Sequence, residues 1–354
     1  VGDYISQHRA QLAGAHITVV LPKTAADGRP LAEVEGRTIS RVGETAQAAF
    51  PSAVQVTKTV TLRAPASLGS GWSRIIKVGY GTSAAKLGTS PAGEGLNLGP
   101  SYGVQVPNKT WWIADAAKLR LAHYSDSGKY LGQVKLPAKY LHLGAFQWQN
   151  PVALADGSVV LSSTTIGSPG LLRLSAKHKL SRVPLSSFVN VLATNGKYLY
   201  GFDETNRKVR VNPLTGKVIP VTWFVGQGGR KFQLNIGNGF INVLRPGVNL
   251  RLNLVSPAHP GLTVHPSLQA VMAADGKLWI LVAGFVEVSP DRTDTVVGLF
   301  SVSPSGKLSS VSRVRNPTSP ADPADGHNLG IRHGGIHPTL MFIDPDAVRV
   351  YRKK

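Results

Sequence analysis

Three histidines stand close together in GHNLGIRHGGIHP, namely His327, His333 and His337. Structural zinc sites use more closely spaced pairs, often with cysteine, and here the nearest carboxylates, Asp322 and Asp325, only flank the segment. If the segment turns from one strand into the next, the first and last histidines lie at opposite ends of a strand. The spacing therefore predicts no metal site.

Proton transfer is the other chemistry that histidine offers, and it needs a carboxylate within hydrogen-bond reach. The pairing that we consider is His327 or His333 with Glu287, which would serve a lyase or a hydrolase. Neither histidine stands in a catalytic motif. The G-x-S-x-G elbow of serine hydrolases does not occur, and the glycine-rich stretches GYGTSAAKLG and GQGG do not open a helix after a strand. No cofactor is predicted.

Cationic and aromatic residues are interleaved in four segments, residues 139–150, 226–232, 258–266 and 313–328. Cations meet the charge of an anionic polymer, and flat rings stack on bases or sugar faces. The segments predict a binding surface made of Tyr140, His142, Trp148, Arg230, Lys231, His259, His265, Arg313 and Arg315.

The overall charge favours the same class of partner. Lys and Arg number 39 and Asp and Glu 19, which gives a formal net charge of +20 in 354 residues. Residues 1–50 are balanced, so the remainder carries the surplus. Such a field attracts nucleic acid, cell-wall polymer, acidic glycan or an anionic surface.

Cysteine is absent, which excludes disulfides, thiolate metal sites and cysteine nucleophiles. No apolar run approaches the length needed to span a bilayer, and no leader-like segment precedes the first strands. We expect a secreted or cell-surface protein, of bacterial type, that is monomeric and has no transmembrane segment.

The elements that must position these groups are short strands. Residues 96–137 contain four apolar runs separated by PNK, DAAK and SDSGK, which predicts a four-stranded antiparallel meander. Its second-strand hairpin recurs with a period of about 40, in the range of propeller blades. The recurring turns lie at Asn108, Asp156, Asn195, Asn238 and Asp275, with a weaker copy at His337.

The repeat predicts an all-β fold, a six-bladed β-propeller of four-stranded antiparallel blades. The last unit ends after three strands, so an N-terminal strand must complete it, and the alternating residues 54–62 are the natural donor. We assign residues 1–51 to an N-terminal extension or capping segment and residues 52–354 to the propeller. Arginines in five of the six third strands are expected to be structural.

The innermost strands of such a ring line its central channel. Here they carry amides and neither Asp nor Glu, and a calcium ion prefers charged oxygen ligands. Calcium-dependent lactonase chemistry is therefore disfavoured, while sugar hydroxyls or water suit the amides. The channel-lining residues predicted are Gln105, Asn150, Asn190, Gln233, Gln269 and Asn328.

The stretch GPSYGVQVPNKTWWIADAAKLRLAHYSDSGKYLGQV resembles the NHL-repeat type of β-propeller, over about 40 residues. The resemblance implies the propeller fold, a pairing of Asp115 with Arg120 and of Asp203 with Arg210, and family roles that include RNA binding, protein binding and lyase or hydrolase chemistry. Fold does not choose among those roles.

Two functions stay open at this point. The first is a secreted scaffold that binds an anionic polymer or a partner protein through a basic, aromatic-bearing loop face. The alternative is an NHL-like propeller enzyme that acts at the channel mouth.

Overall fold

The computed structural model describes residues 54–88, 100–137, 141–142, 145–146, 148–163, 169–312, 314, 327–344 and 346–354. Within these ranges the only helices are two 3₁₀ turns, Ala116–Lys118 and Gln227–Gly229. No helix in the described part of the chain is long and apolar enough to cross a membrane.

Twenty-six strands make up the described structure. They are β1 (Val56–Thr61), β2 (Trp72–Gly79), β3 (Pro100–Gln105), β4 (Trp111–Asp115), β5 (Arg120–Tyr124), β6 (Tyr130–Lys135), β7 (Leu141–His142), β8 (Ala145–Phe146), β9 (Trp148–Ala153), β10 (Val159–Ser163), β11 (Gly170–Leu174), β12 (Leu180–Pro184), β13 (Val189–Thr194), β14 (Leu199–Asp203), β15 (Lys208–Val211), β16 (Val218–Pro220), β17 (Phe224–Val225), β18 (Lys231–Gly237), β19 (Phe240–Arg245), β20 (Val248–Val255), β21 (Val264–Met272), β22 (Leu278–Ser289), β23 (Arg292–Val302), β24 (His327–Gly330), β25 (Thr339–Ile343) and β26 (Ala347–Lys353).

The strands form a six-bladed propeller, as the repeat predicts. Blade 1 is β3–β6, blade 2 is β9–β12 and blade 3 is β13–β16, each a consecutive antiparallel sheet. Blade 4 runs β17–β20, blade 5 is β21–β23, and blade 6 is β24–β26 with β2 on its outer edge. The inner strands β3, β9, β13, β21 and β24 contact one another in this order around the ring, so β13 of blade 3 contacts β21 of blade 5 directly beside the short β17.

An N-terminal strand completes blade 6, as expected, but residues 54–62 are not that strand. β2 pairs antiparallel with β26, from Trp72 opposite Lys353 to Gly79 opposite Ala347. Residues 54–62 instead place β1 parallel to β20, along the outer edge of blade 4. β1 alternates cleanly in sequence, whereas a register shift between Arg74 and Ile76 interrupts the alternation of β2. Alternation alone therefore pointed to the added strand and not to the closing one.

Residues 62–71 between β1 and β2 follow the outer edge of blade 5. Arg63 bridges to Val297 of β23, and the Ala66 amide donates to the Val314 carbonyl at 3.0 Å. Blade 5 has three regular strands, and residues 308–312 cover its outer edge through bridges to Leu299 and Val302. One N-terminal strap, residues 56–79, thus covers the outer edges of three consecutive blades.

Blade 4 differs from the sequence repeat by one strand. The Asn238 turn was expected to join the first and second strands, yet it joins β18 to β19. The first strand is the two-residue β17, which pairs antiparallel with β18 between Phe224 and Phe232. A strand of two residues is too short to show a periodic pattern in the sequence. The stretch GQGGR was therefore expected to be part of a loop between blades, but it is the hairpin turn that joins β17 to β18.

Side chains from neighbouring blades interdigitate to form the core. Adjacent residues of a strand face opposite sides, so Trp111 packs toward blade 6 with Met341, whereas Trp112 packs toward blade 2 with Leu161. Both tryptophans are almost completely buried.

The third-strand arginines are structural, as expected. Arg120 donates through Nε to Asp115 Oδ2 at 2.8 Å, and both side chains are buried. Arg173 pairs with Asp156 and Arg349 with Asp344 and Asp346.

The pairing of Asp203 with Arg210 is wrong. Asp203 accepts from Arg207 at 2.8 Å. The Arg210 guanidinium lies 4.6 Å from the centroid of the Tyr198 ring, and Arg251 lies in the same way 3.8 Å from Phe240. In both cases the guanidinium contacts an aromatic ring, through a cation–π interaction, in place of the carboxylate that the repeat pattern suggested.

Candidate functional site

Strand direction divides the ends of the propeller into two faces. The lower face carries the turns between first and second and between third and fourth strands, such as residues 125–129 and 274–276. The upper face carries the second-to-third turns and the connections between blades, such as residues 116–119 and 256–263. Any residue in a turn is therefore assigned to a face by its position in the blade.

Three third-to-fourth turns of the lower face, in blades 1, 2 and 5, share one geometry. The hydroxyl of a serine at the first position accepts the amide of a lysine at the fifth position, at 3.0 Å in each case. The fourth residue has a positive φ, which glycine adopts at little cost. The serine and lysine pairs are Ser125 with Lys129, Ser175 with Lys179 and Ser303 with Lys307.

Lysine also occurs in four other lower-face turns, at Lys109, Lys197, Lys217 and Lys277. Lys197 and Lys277 follow Gly196 and Gly276, whose φ angles are 90° and 85°. Seven exposed residues result, which we call the turn lysines. They are Lys109, Lys129, Lys179, Lys197, Lys217, Lys277 and Lys307.

Acidic residues on the lower face are already paired. Those in the described ranges are Asp126, which accepts from Arg352 at 2.6 Å, Asp156, and Asp275, which lies 2.9 Å from Lys277. The other described carboxylates belong to the upper face: Asp115, Asp203, Glu204, Glu287, Asp291, Asp294, Asp344 and Asp346. The lower face therefore carries an uncompensated positive charge.

Two predicted binding residues lie on this lower face. Arg230 ends the β17–β18 turn, and Lys231 begins β18. Both are exposed. They were expected to join the other basic and aromatic segments, but the short strand β17 puts their turn at the opposite end of the propeller.

His259 and His265 lie on the upper face and support a long hairpin. β22 and β23 extend beyond the strands of the other blades. His259 Nε2 lies 3.0 Å from Asp294 Oδ2, and the His265 ring stacks on Phe285 with 5.0 Å between centroids. Both histidines thus make contacts within blade 5.

The remaining predicted surface residues cannot be placed in full. Tyr140, Arg313 and Arg315 lie outside the described residues. His142 and Trp148 belong to β7 and β9, in the upper-face connection between blades 1 and 2, and their side chains lie outside the description.

The central channel encloses a cavity of about 320 Å³. Asn190 and Gln269 are among the residues that line it, and Gln269 Oε1 accepts the Leu329 amide at 2.7 Å. The side chains of Asn150 and Asn328 lie outside the described set.

Gln105 and Gln233 do not line the channel. Gln105 donates to Asp126 at 2.8 Å, which ties blade 1 to Arg352 of blade 6. Gln233 donates to the Thr222 carbonyl at 2.7 Å from β18, which is a second strand. The first was misassigned because alternate residues of an inner strand face the neighbouring blade, and the second because β17 was missed.

One turn closes the lower end of the channel. Residues 331–338, between β24 and β25, lie across it and contact four other blades. Arg332 donates to the Pro107 carbonyl at 3.1 Å, Gly334 donates to Gln227 Oε1 at 2.7 Å, and the Gly335 carbonyl accepts from Ala274 at 2.9 Å. The His333 ring packs so closely on Gly196 that a Cβ there would overlap it.

The predicted acid–base pair is separated by this geometry. His333 lies at the lower end, and burial lowers its pKa. Glu287 lies on β22 nine residues beyond Leu278, roughly 30 Å along the strand toward the upper face. His327 begins β24 and its side chain lies outside the description. The described residues also contain no cluster of three His, Asp or Glu side chains able to hold a metal.

Sequence reasoning missed the turn lysines, although a signal exists. Gly-Lys ends five turns, in DSGK, NGK, TGK, DGK and SGK. Because such turns recur at the same place in a blade, their last residue recurs on the same face.

Comparison with known proteins supplies a family but no activity. The family model described as "Domain of unknown function (DUF7485)" matches residues 70–353, from the approach to β2 to the end of β26. No curated protein matches the sequence.

Several solved structures are similar at low identity. Virginiamycin B lyase from Staphylococcus aureus is 12% identical, over 72% of this chain and 94% of that chain, with a TM-score of 0.40. A putative exported protein from Bacteroides fragilis is 9% identical over 84% and 100%, with a TM-score of 0.42. A protein of unknown function from Bacteroides thetaiotaomicron is 13% identical over 79% and 75%, with a TM-score of 0.47. Similarities of this size carry no inference about function.

Proposed function

The chain belongs to the DUF7485 family, and we propose that it is a secreted binding protein that recognises an anionic polymer through the lower face. The observation that carries the proposal is the set of seven exposed turn lysines on a face where the described carboxylates are already paired. A polymer with regularly spaced phosphate, sulfate or carboxylate groups can contact several of these lysines at once.

Lysine favours recognition of charge over recognition of a particular group. Its ammonium is a flexible point charge, whereas arginine offers a planar fork that fits one phosphate or carboxylate. Among the Phe, Tyr and Trp residues whose exposure is described, Phe285 is the only one exposed by more than about a third, and it lies on the upper face. The described part of the lower face thus has no exposed Phe, Tyr or Trp on which bases could stack, and a cell-wall polymer or acidic glycan fits it better than bases do.

The proposal moves the binding surface predicted from sequence. Arg230 and Lys231 lie on the lower face, whereas His259 and His265 lie on the upper face. The Arg230 side chain lies against Gly276, beside the turn lysine Lys277.

A matched pair of triple variants tests the proposal. Lys129, Lys217 and Lys307 are changed to Gln on the lower face, and Lys77, Lys86 and Lys135, all exposed, are changed to Gln on the upper face. Each variant loses the same formal charge. We expect the lower-face variant to leave a heparin column at clearly lower salt than the wild type, because each lost contact releases one counterion fewer.

The upper-face variant should elute close to the wild type. Equal shifts for the two variants would contradict the proposal, because they would show that net charge alone governs retention. Unfolding in urea confirms that both variants are folded. Competition by soluble RNA or by an acidic protein, measured on the same column, ranks the other anionic partners.

A further inference from the structure

The central cavity differs in chemistry from the lower face. Its lining comes from the inner strands β3, β9, β13, β21 and β24 and from the turns at their lower ends. The chain carries 39 Lys and Arg residues, yet no Lys, Arg, Asp or Glu is among the described residues that line this cavity. We propose that the cavity is a second binding site, which takes an uncharged small molecule with both apolar and hydrogen-bonding groups.

The lining explains why the ligand must be uncharged. Aliphatic side chains such as Val104, Val152 and Leu192 supply about half of the wall surface, and polar atoms of uncharged groups supply the rest. A charged ligand would lose its hydration there without gaining an ionic partner, which is costly. His333 does not supply a charge, because burial lowers its pKa and keeps it neutral at pH 7.

A few polar groups give the cavity hydrogen-bonding capacity. Asn190, Ser267 and Gln269 project from β13 and β21, and Gln227 reaches in from the β17–β18 turn. A pocket of a few hundred Å³ that combines apolar walls with a few placed polar groups is the usual form of a small-molecule site, and this cavity combines both. The ligand should therefore carry one or two hydroxyl, carbonyl or amide groups.

The floor of the cavity is preformed. Gln227 donates to the Arg332 carbonyl at 3.3 Å and accepts from Gly334 at 2.7 Å, so it links blade 4 to the turn that closes the channel. Arg332 in turn reaches the Pro107 carbonyl of blade 1. Because these bonds close the lower end, the ligand enters from the upper face and does not compete with a polymer on the lower face.

Two dyes that share one ring system provide the test. N-phenyl-1-naphthylamine is uncharged, and 8-anilinonaphthalene-1-sulfonate is the same molecule with a sulfonate. We expect the neutral dye to bind the whole protein saturably, with one site and with an affinity that does not change with salt. The sulfonate should bind in a salt-dependent manner at the turn lysines and should not displace the neutral dye.

Two variants that narrow the cavity test whether the neutral dye binds there. Ser267→Phe on β21 and Asn190→Phe on β13 place a ring in the cavity from different blades. If one variant does not fold, the other still provides the test. Each should weaken binding of the neutral dye at least tenfold. Ser305→Phe, an exposed change in a lower-face turn, is the control and should bind as the wild type does.

Absence of saturable binding by the neutral dye would overturn the proposal, and so would normal affinity in both folded cavity variants. Displacement of the neutral dye by the sulfonate at high salt would also overturn it, because the cavity would then accept an anion. Heparin retention is measured separately, so failure of the cavity site leaves the polymer proposal unaffected, and the reverse also holds.

Discussion

Replacing Asp115 with Asn should cost far more stability than the same change at Asp156. Both carboxylates accept from a third-strand arginine, at 2.8 Å from Arg120 and 3.0 Å from Arg173. The side chains of the first pair are 2% and 0% exposed, and those of the second pair are 17% and 55% exposed. The two substitutions therefore remove the same kind of contact from a buried and from a hydrated environment.

The expected magnitudes follow from this burial. Asp115→Asn leaves the Arg120 cation buried without a counter-charge, which costs about 3–5 kcal/mol. It also weakens the attachment of residues 81–88, because Asp115 accepts the Gly88 amide and Arg120 donates to the Ala84 carbonyl. Asp156→Asn should cost below about 1 kcal/mol, because water compensates an exposed pair.

Urea unfolding of the two variants and the wild type measures the difference directly. Far-ultraviolet circular dichroism follows the sheets, and the midpoint and slope give the free energy of unfolding. Equal losses below about 1 kcal/mol for the two variants would refute the argument from burial.

Three further outcomes are expected. Deleting residues 1–64 should leave cooperative unfolding, whereas deleting residues 1–80 should abolish it, because only the longer deletion removes the strand that completes blade 6. If both deletion variants unfold in urea with the same cooperativity, ring closure by β2 is wrong. Gly196→Ala should cost roughly 1–3 kcal/mol more than Gly247→Ala, because both positions have positive φ but only the first Cβ would overlap another side chain; equal unfolding free energies would contradict the packing at the channel floor. Burial and a neighbouring imidazole lower the pKa of His123 from 6.5 to about 4, so stability should fall as pH drops from 6.5 toward 4, since the unfolded chain takes up the proton first. Substituting Phe should flatten that dependence, and an unchanged pH profile would exclude His123 as its source.

The architecture could be predicted because the repeat is local. Each hairpin carries its own turn signal and its own alternating strands, so the number of blades can be counted from the sequence. Ring closure depends on which distant strand pairs with β26, and that strand, β2, is interrupted by a register shift between Arg74 and Ile76, whereas β1 alternates cleanly. That choice depends on long-range packing, which no local pattern records.

Local patterns could not place the candidate site. Charge and composition predict an anionic partner, but the two-residue strand β17 moves Arg230 and Lys231 to the opposite face from the one expected. The residues expected to line the channel divide for a related reason. Asn190 and Gln269 face the cavity, whereas Gln105 belongs to an inner strand but faces a neighbouring blade.

The central claim is that an anionic polymer binds through the turn lysines of the lower face. The most direct test of it is the salt dependence of the affinity for a single-stranded polyanion. For such a ligand, log K falls with log salt by about 0.7 for each charge engaged. If the three lysines at positions 129, 217 and 307 all contact the polymer, their change to Gln should make the slope shallower by about 2. The upper-face triple variant should keep the slope of the wild type. Unchanged slopes in both variants, or equal changes in both, would contradict binding through the lower face.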